Sequence, residues 1–203
     1  MDRYLKLLVV PFLVLFLCAG SALAFPISDG DTIIMAKDWD VPYTMIVDGA
    51  SYQTFCLEST NYFNPGNTYT VTSVGDIVTG GGPNATVDGD PLESETKWLY
   101  AAYMSGDVFG TTVTALMVQK AIWYFEGENN ESVGAWFDDY YTEANRELLA
   151  GWDVRAVNLT GPDFKDAQSQ LVGVAPVPEP ATMLLLGTGL VGLAGFSRKK
   201  FKK

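Results

Sequence analysis

Two side chains in this sequence have chemistry that their neighbours do not explain. Cys56 stands in Thr54-Phe55-Cys56-Leu57-Glu58, and Gln119 stands in Val118-Gln119-Lys120-Ala121-Ile122-Trp123. A thiol becomes a nucleophile when it ionises. A carboxamide on an apolar helical segment needs a partner. Helical spacing sets Leu116, Ile122 and Trp123 around Gln119, and a buried amide left unsatisfied costs about 1–3 kcal/mol. The ordinary resolution is a hydrogen bond to backbone. For a thiol with no second cysteine near it in sequence three uses are open: a small buried apolar group, an intermolecular disulfide, or a free group. Composition alone favours the first. Glu58 and Glu126 lie close by in sequence and are the available bases, although an exposed carboxylate is the commoner role for each.

Much chemistry is excluded at the outset. The 203 residues contain no His, which removes imidazole acid–base catalysis, His-based triads and His-ligated zinc. Between residues 25 and 177 there are 22 acidic and six basic side chains, a formal −16. Such a surface repels a phosphate backbone, so no nucleic-acid partner is expected. No two carboxylates sit in a recognisable glycosidase frame. Asp29-Gly30-Asp31 and Asp88-Gly89-Asp90, the latter with Glu93 and Glu95, could offer oxygens to calcium. Turn formation explains Asp-Gly equally well, so no metal or cofactor is expected. Trp136, Tyr140, Tyr141 and Trp152 could form a sugar-binding platform or belong to the core.

The elements that must position Cys56 and Gln119 can be read from periodicity. Tyr43–Val47 and Ala50–Glu58 flank Asp48-Gly49, the favoured pair of a type I′ turn, and predict a β-hairpin. Asn67–Val74 predicts a third strand. Residues 79–91, rich in Gly and Pro, predict a loop. Glu93–Ser105 predicts a helix with Trp98, Ala101, Ala102 and Ser105 on one face. Thr112–Glu126 predicts a second, with Val113, Leu116, Met117 and Ala121 inward. Ser132–Leu149 predicts a third, offering Trp136, Tyr140 and Leu148 for packing. Asp153–Thr160 and Ser169–Val174 predict closing strands. Strands, then helices, then strands imply an α+β fold: one domain over residues 25–175, a β-sandwich or barrel with a helical insertion.

The two ends have the composition of addresses. Residues 1–24 form a signal peptide pattern: Arg3 and Lys6, the apolar run Leu7–Leu17, then Ala22-Leu23-Ala24 as a small-x-small cleavage site. Cys18 would be discarded with it, leaving Cys56 as the only thiol. Residues 176–203 contain a short stiff linker, Pro178-Glu179-Pro180, an apolar stretch over Met183–Phe196 and a tail in which five of the last six residues are basic. The stretch is short of the ~20 residues of a durable membrane span, and the basic tail fits a cytoplasmic end.

The C-terminal segment resembles the PEP-CTERM sorting signal of Gram-negative bacteria. That resemblance implies an exosortase as processing partner, with cleavage near Pro178, Glu179 and Pro180. It implies transient anchoring in the inner membrane, then delivery to the cell surface or exopolysaccharide matrix.

Phe55-Cys56 and Gln119-Lys120-Ala121-Ile122-Trp123, in that order, resemble the two signature elements of the thioester domains of bacterial surface proteins. The resemblance implies an internal thioester between Cys56 and Gln119. Such a domain is not a turnover enzyme; it attaches once, covalently, to an amine-bearing surface or matrix molecule. A thioester persists only where water is excluded, and Phe55, Tyr62, Trp123 and Tyr124 are the aromatic residues available to wall it. One position departs from the family pattern, Val118 standing where Thr is usual. The alternative is a noncovalent exopolysaccharide-binding or structural matrix protein with no reactive site.

Overall fold

In the computed structural model, residues 24–37, 39–79, 88–130, 132–162, 167–176 and 189 are described. Residues 1–23, Pro178, Glu179, Pro180 and all of residues 177–203 but Gly189 lie outside them. Strands β1 (Thr32–Met35), β2 (Tyr43–Val47), β3 (Ala50–Cys56) and β4 (Thr68–Gly75) come first. A two-residue pair follows, β5 (Ile77–Val78) with β6 (Asp90–Pro91). Helices α1 (Ser94–Ser105), α2 (Ala115–Phe125), α3 (Trp136–Tyr140) and α4 (Glu143–Leu148) precede β7 (Asp153–Thr160) and β8 (Ala167–Val174).

Six strands close into an antiparallel barrel in the order β1-β2-β3-β8-β7-β4, with β4 returning to β1. Of the two expected architectures the barrel is found, and the helices form the insertion between β6 and β7. Period-two alternation builds its interior. In β1 and β4 the inward residues Ile33, Met35, Tyr69 and Val71 are buried while their neighbours Thr32, Ile34, Thr68 and Thr70 face solvent. The β2–β3 turn has φ 49° at Asp48 and 81° at Gly49, as a type I′ turn requires.

Two apolar clusters meet across the barrel wall. One lies inside and includes Met35, Met45, Cys56, Val71 and Val172. The other fills the space between the outer face of the wall and the helices, with Phe55, Leu99, Tyr100, Val118, Ile122 and Leu171. Neighbouring residues of β3 and β8 therefore serve opposite clusters, and β8 is buried on both faces through Val172. The fit behind β8 is tight. A Cβ on Gly173 would lie 2.6 Å from Cε1 of Tyr100 and 2.9 Å from Cγ2 of Val154. Tyr100 cannot retreat, because its hydroxyl donates to the Gln53 carbonyl at 2.8 Å. Gly173→Ala is therefore expected to destabilise the fold by about 1–3 kcal/mol through overpacking, read from the denaturant midpoint.

Several expectations are corrected. Strand β1 has no counterpart among the expected elements. The expected loop 79–91 ends by pairing Asp90–Pro91 with Ile77–Val78, and residues 80–87 lie outside the described set. The second helix starts at Ala115, because the Thr114 side chain accepts the Met117 N–H and caps it there. The third expected helix is broken in two: Thr142 is extended and caps α4 through Asn145 N–H. Leu116 and Leu148, expected inward, are exposed; α1 is instead buried along half of its length, including Leu99 and Tyr100.

Candidate functional site

The register of the β2–β3 hairpin explains what Cys56 lacks. The ladder runs from Val47↔Ala50 to Tyr43↔Thr54. In an antiparallel ladder every second residue turns its N–H and C=O toward the same neighbour. Cys56 is thus the next residue facing the β2 side, and β2 does not reach that far; on the opposite side β8 continues alongside. Two buried peptide groups at Cys56 need partners from elsewhere.

Gln119 supplies both. Its Oε1 accepts the Cys56 N–H at 2.9 Å, and its Nε2 donates to the Cys56 carbonyl oxygen at 2.7 Å. Helix α2 delivers the side chain because Val118, Ala121 and Ile122 pack it against the barrel. Gln119 and Cys56 are each only 1% exposed. Val118, in the position where a hydroxyl would have been expected, is buried among apolar groups and has no polar atom to offer.

The Cys56 side chain belongs to the barrel cluster. Burial pushes its thiol well above the usual range. Hydrogen bonding from Gln170 opposes this, the nearby Glu58 charge adds to it, and hydrogen bonding from Tyr43 opposes it. Gln170 Nε2 lies 3.8 Å from the sulfur. Tyr43 is itself pushed up to about 12, first by burial and then by the thiol beside it. Tyr43 and Gln170 thus meet the Cys56 sulfur, and neither is among the residues expected from sequence. A signal for the second is present: Gln168-Ser169-Gln170 is a polar run inside a strand, and all three are buried.

Glu58 lies two residues beyond Cys56 and is 1% exposed. Ser169 meets it twice: its N–H donates to Oε2 at 2.7 Å, and its Oγ lies 2.7 Å from Oε1. Its peptide carbonyl accepts from the Gln168 amide. Burial pushes its carboxyl up to about 7, with the Ser169 hydrogen bonds and one from its own backbone opposing and Glu128 reinforcing. The geometry agrees. Ser169 Oγ also lies 2.9 Å from Asn158 Oδ1, and Asn158 is oriented by donating Nδ2 to Ser73 Oγ and the Ile77 carbonyl. One hydroxyl proton cannot serve both acceptors. A protonated Glu58 donating to Ser169 lets Ser169 donate to Asn158.

The other base named from sequence, Glu126, is also buried and raised to about 7 by burial, partly offset by Thr96 and the Glu93 N–H, with Asp90 and Glu93 reinforcing. It ties the end of α2 to the start of α1 rather than meeting the thiol: the Glu93 N–H donates to it at 3.2 Å.

Of the four aromatic residues expected around the site, Phe55 is fully buried in the helix-side cluster, edge-on to Tyr100 and Tyr103. Trp123, one turn along α2 from Gln119, packs half-buried on the cluster that holds Cys56. Tyr62 and Tyr124 are exposed, so they do not close the site. Asp31 accepts the Ser28 N–H and shapes a turn, and among the described residues no group of carboxylates could hold a metal ion.

Comparison with known proteins adds one finding. No curated protein and no solved structure matches the chain. Residues 176–199 match the PEP-CTERM protein-sorting motif, which marks the protein as an exosortase substrate, exported to the cell surface or extracellular space.

Proposed function

We propose that the exported domain carries an internal thioester between Cys56 Sγ and Gln119 Cδ and uses it once, to attach covalently to an amine on an extracellular partner. What carries this reading is the approach of a buried carboxamide to the residue bearing the domain's only thiol, across 63 positions of sequence and through two hydrogen bonds. In forming the bond, sulfur attacks Cδ, the C–N bond breaks, and the thiol proton leaves with nitrogen as ammonia. The Cys56 N–H already points at the oxygen that gains charge in the tetrahedral intermediate, the arrangement that lowers such barriers. Tyr43 and Gln170 favour the thiolate. Later attack by an amine breaks C–S, forms an amide and returns a proton to Cys56. The domain is not a turnover enzyme.

The sorting motif suits this chemistry, since a protein shed into a dilute outer phase keeps a covalent partner where a noncovalent one would leave. We place removal of residues 1–24, transient inner-membrane anchoring and cleavage near Pro178–Pro180 on the same route.

The test is the intact mass of the processed protein, purified without reductant or amine buffers. A deficit of about 17 Da, the ammonia lost, is expected in the wild type and absent in Cys56→Ala and Gln119→Ala. Methylamine should then add to the wild type alone. Peptide mapping that found an unmodified Gln119 carboxamide, together with a full mass, would sink the proposal. Gln119 would then be a backbone partner only, and the protein a noncovalent matrix component.

A further inference from the structure

On the helix-bearing side of the barrel, α1, α4 and the start of β7 border an open cleft of about 330 Å³, large enough for a small ligand. Its lining includes Ser94, Lys97, Trp98, Tyr141, Arg146 and Trp152. Only six basic residues occur between 25 and 177 against 22 acids, and two of the six line this cleft. In so acidic a domain two cations on one cleft are a local concentration of positive charge, one of them, Lys97, paired with Asp76.

The aromatic residues have separate tasks. Trp98 is buried and forms the floor, with edge contacts to Phe109, Phe137 and Tyr141. The Tyr141 ring is covered on one side by Phe137, stacked at 4.8 Å, while the Arg146 guanidinium lies 5.1 Å from its centroid. That cation–π contact holds the guanidinium in place without consuming its N–H donors. Lys97 is held by Asp76 at 2.7 Å, in a pair whose carboxylate side is largely exposed; a pair of this kind is weak and exchangeable. Trp152 is half-buried, braced edge-on by Tyr100 at 6.4 Å, and is the ring left for a ligand to lie against. Of the four aromatics that could have formed a sugar platform, Trp136 and Tyr140 pack on Phe109 instead.

We propose that this cleft binds an acidic saccharide, one sugar ring lying on Trp152 with its carboxylate taken by Arg146 and by Lys97 in exchange for Asp76. A ring with an apolar face and a carboxylate on its rim matches one indole and two cations; a neutral sugar leaves the cations unused. This site is independent of the thioester.

The test is titration of the processed protein with oligogalacturonate, and with a neutral maltooligosaccharide as control, followed by calorimetry and by amide NMR shifts. Saturable binding of the acidic oligomer is expected, with shifts at Lys97, Arg146 and Trp152, weakening as salt screens the cations. Arg146→Gln and Lys97→Gln should each weaken it about tenfold, at unchanged melting temperature and unchanged thioester mass deficit. Asp76→Asn, which releases Lys97, should tighten it. Absence of saturable binding, equal binding of the neutral oligomer, or binding indifferent to both charge removals would each overturn the proposal.

Discussion

Gln119→Ala is expected to be less stable than Cys56→Ser by about 2–4 kcal/mol, because it alone strips the Cys56 N–H and C=O of their partners in a site that water does not reach. For a domain of this size that is a fall in melting temperature of roughly 5–15 °C. Cys56→Ser keeps the carboxamide in place and changes only the atom that faces the barrel interior. A second gap separates Cys56→Ser from the wild type. A thioester joining positions 63 apart restricts the unfolded chain as a disulfide would, and a loop of that length is worth about 4 kcal/mol in the chain-entropy description. The two gaps therefore report different things. The first measures the carboxamide as a strand-edge mimic, and the second measures the covalent bond less the Nε2 hydrogen bond to the Cys56 carbonyl, which leaves with the ammonia. Denaturation of the three proteins in amine-free buffer reads both, and methylamine should collapse only the second. A wild type no more stable than Cys56→Ser would count against the cross-link while leaving the hydrogen-bond account intact.

Glu58 is expected to make the fold less stable as pH rises from about 4.5 to 7. Its carboxyl is raised to about 7 in the folded protein, against 4.5 for an exposed glutamate. Below pH 4 both states are protonated and the group has no effect on slope. Between the two values the unfolded state has lost its proton while the folded state retains it, so stability falls by up to about 1.4 kcal/mol per pH unit. Above pH 7 both are ionised and the loss, about 3 kcal/mol in all, is complete. Glu126, raised to a similar value, adds a parallel contribution, so wild-type stability alone does not isolate Glu58. Glu58→Gln does. An amide donates to Ser169 Oγ and accepts Ser169 N–H as the protonated acid does, with nothing to ionise. The variant should match the wild type near pH 4 and exceed it by about 3 kcal/mol at pH 8. Urea midpoints across that range are the measurement. A wild type and Glu58→Gln with parallel profiles would show that Glu58 ionises normally in the fold. Because Glu58 charge also raises the Cys56 thiol, the same substitution should speed thioester formation above neutral pH.

Local chemistry alone makes the hairpin legible. Asp48-Gly49 favours positive φ twice, few other pairs tolerate it, and the flanking β-rich runs supply the strands. The closing strands and α1 are legible for a similar reason, since their apolar periodicity is dense enough to outvote local exceptions. The break in the third expected helix is not, because the signal for it, Thr142 accepting from Asn145, competes with a helical pattern on both sides. Strand β1 is four residues long, too short for alternation to stand out, and owes its existence to β2 and β4 on either side. Leu116 and Leu148 mislead because helical spacing gives a face but not its direction.

At the site, residue identity alone decides which groups could react: one thiol remaining after export, one glutamine on an apolar segment, no imidazole, and a C-terminal address. None of these needs a fold. The fold is what starts β2 at Tyr43 while β3 runs on to Cys56, leaving two peptide groups that a side chain from α2 must complete. It also brings Tyr43 and Gln170 to the sulfur and buries Glu58 where its proton is worth keeping. Those are consequences of register and barrel closure, long-range quantities that no window of sequence contains.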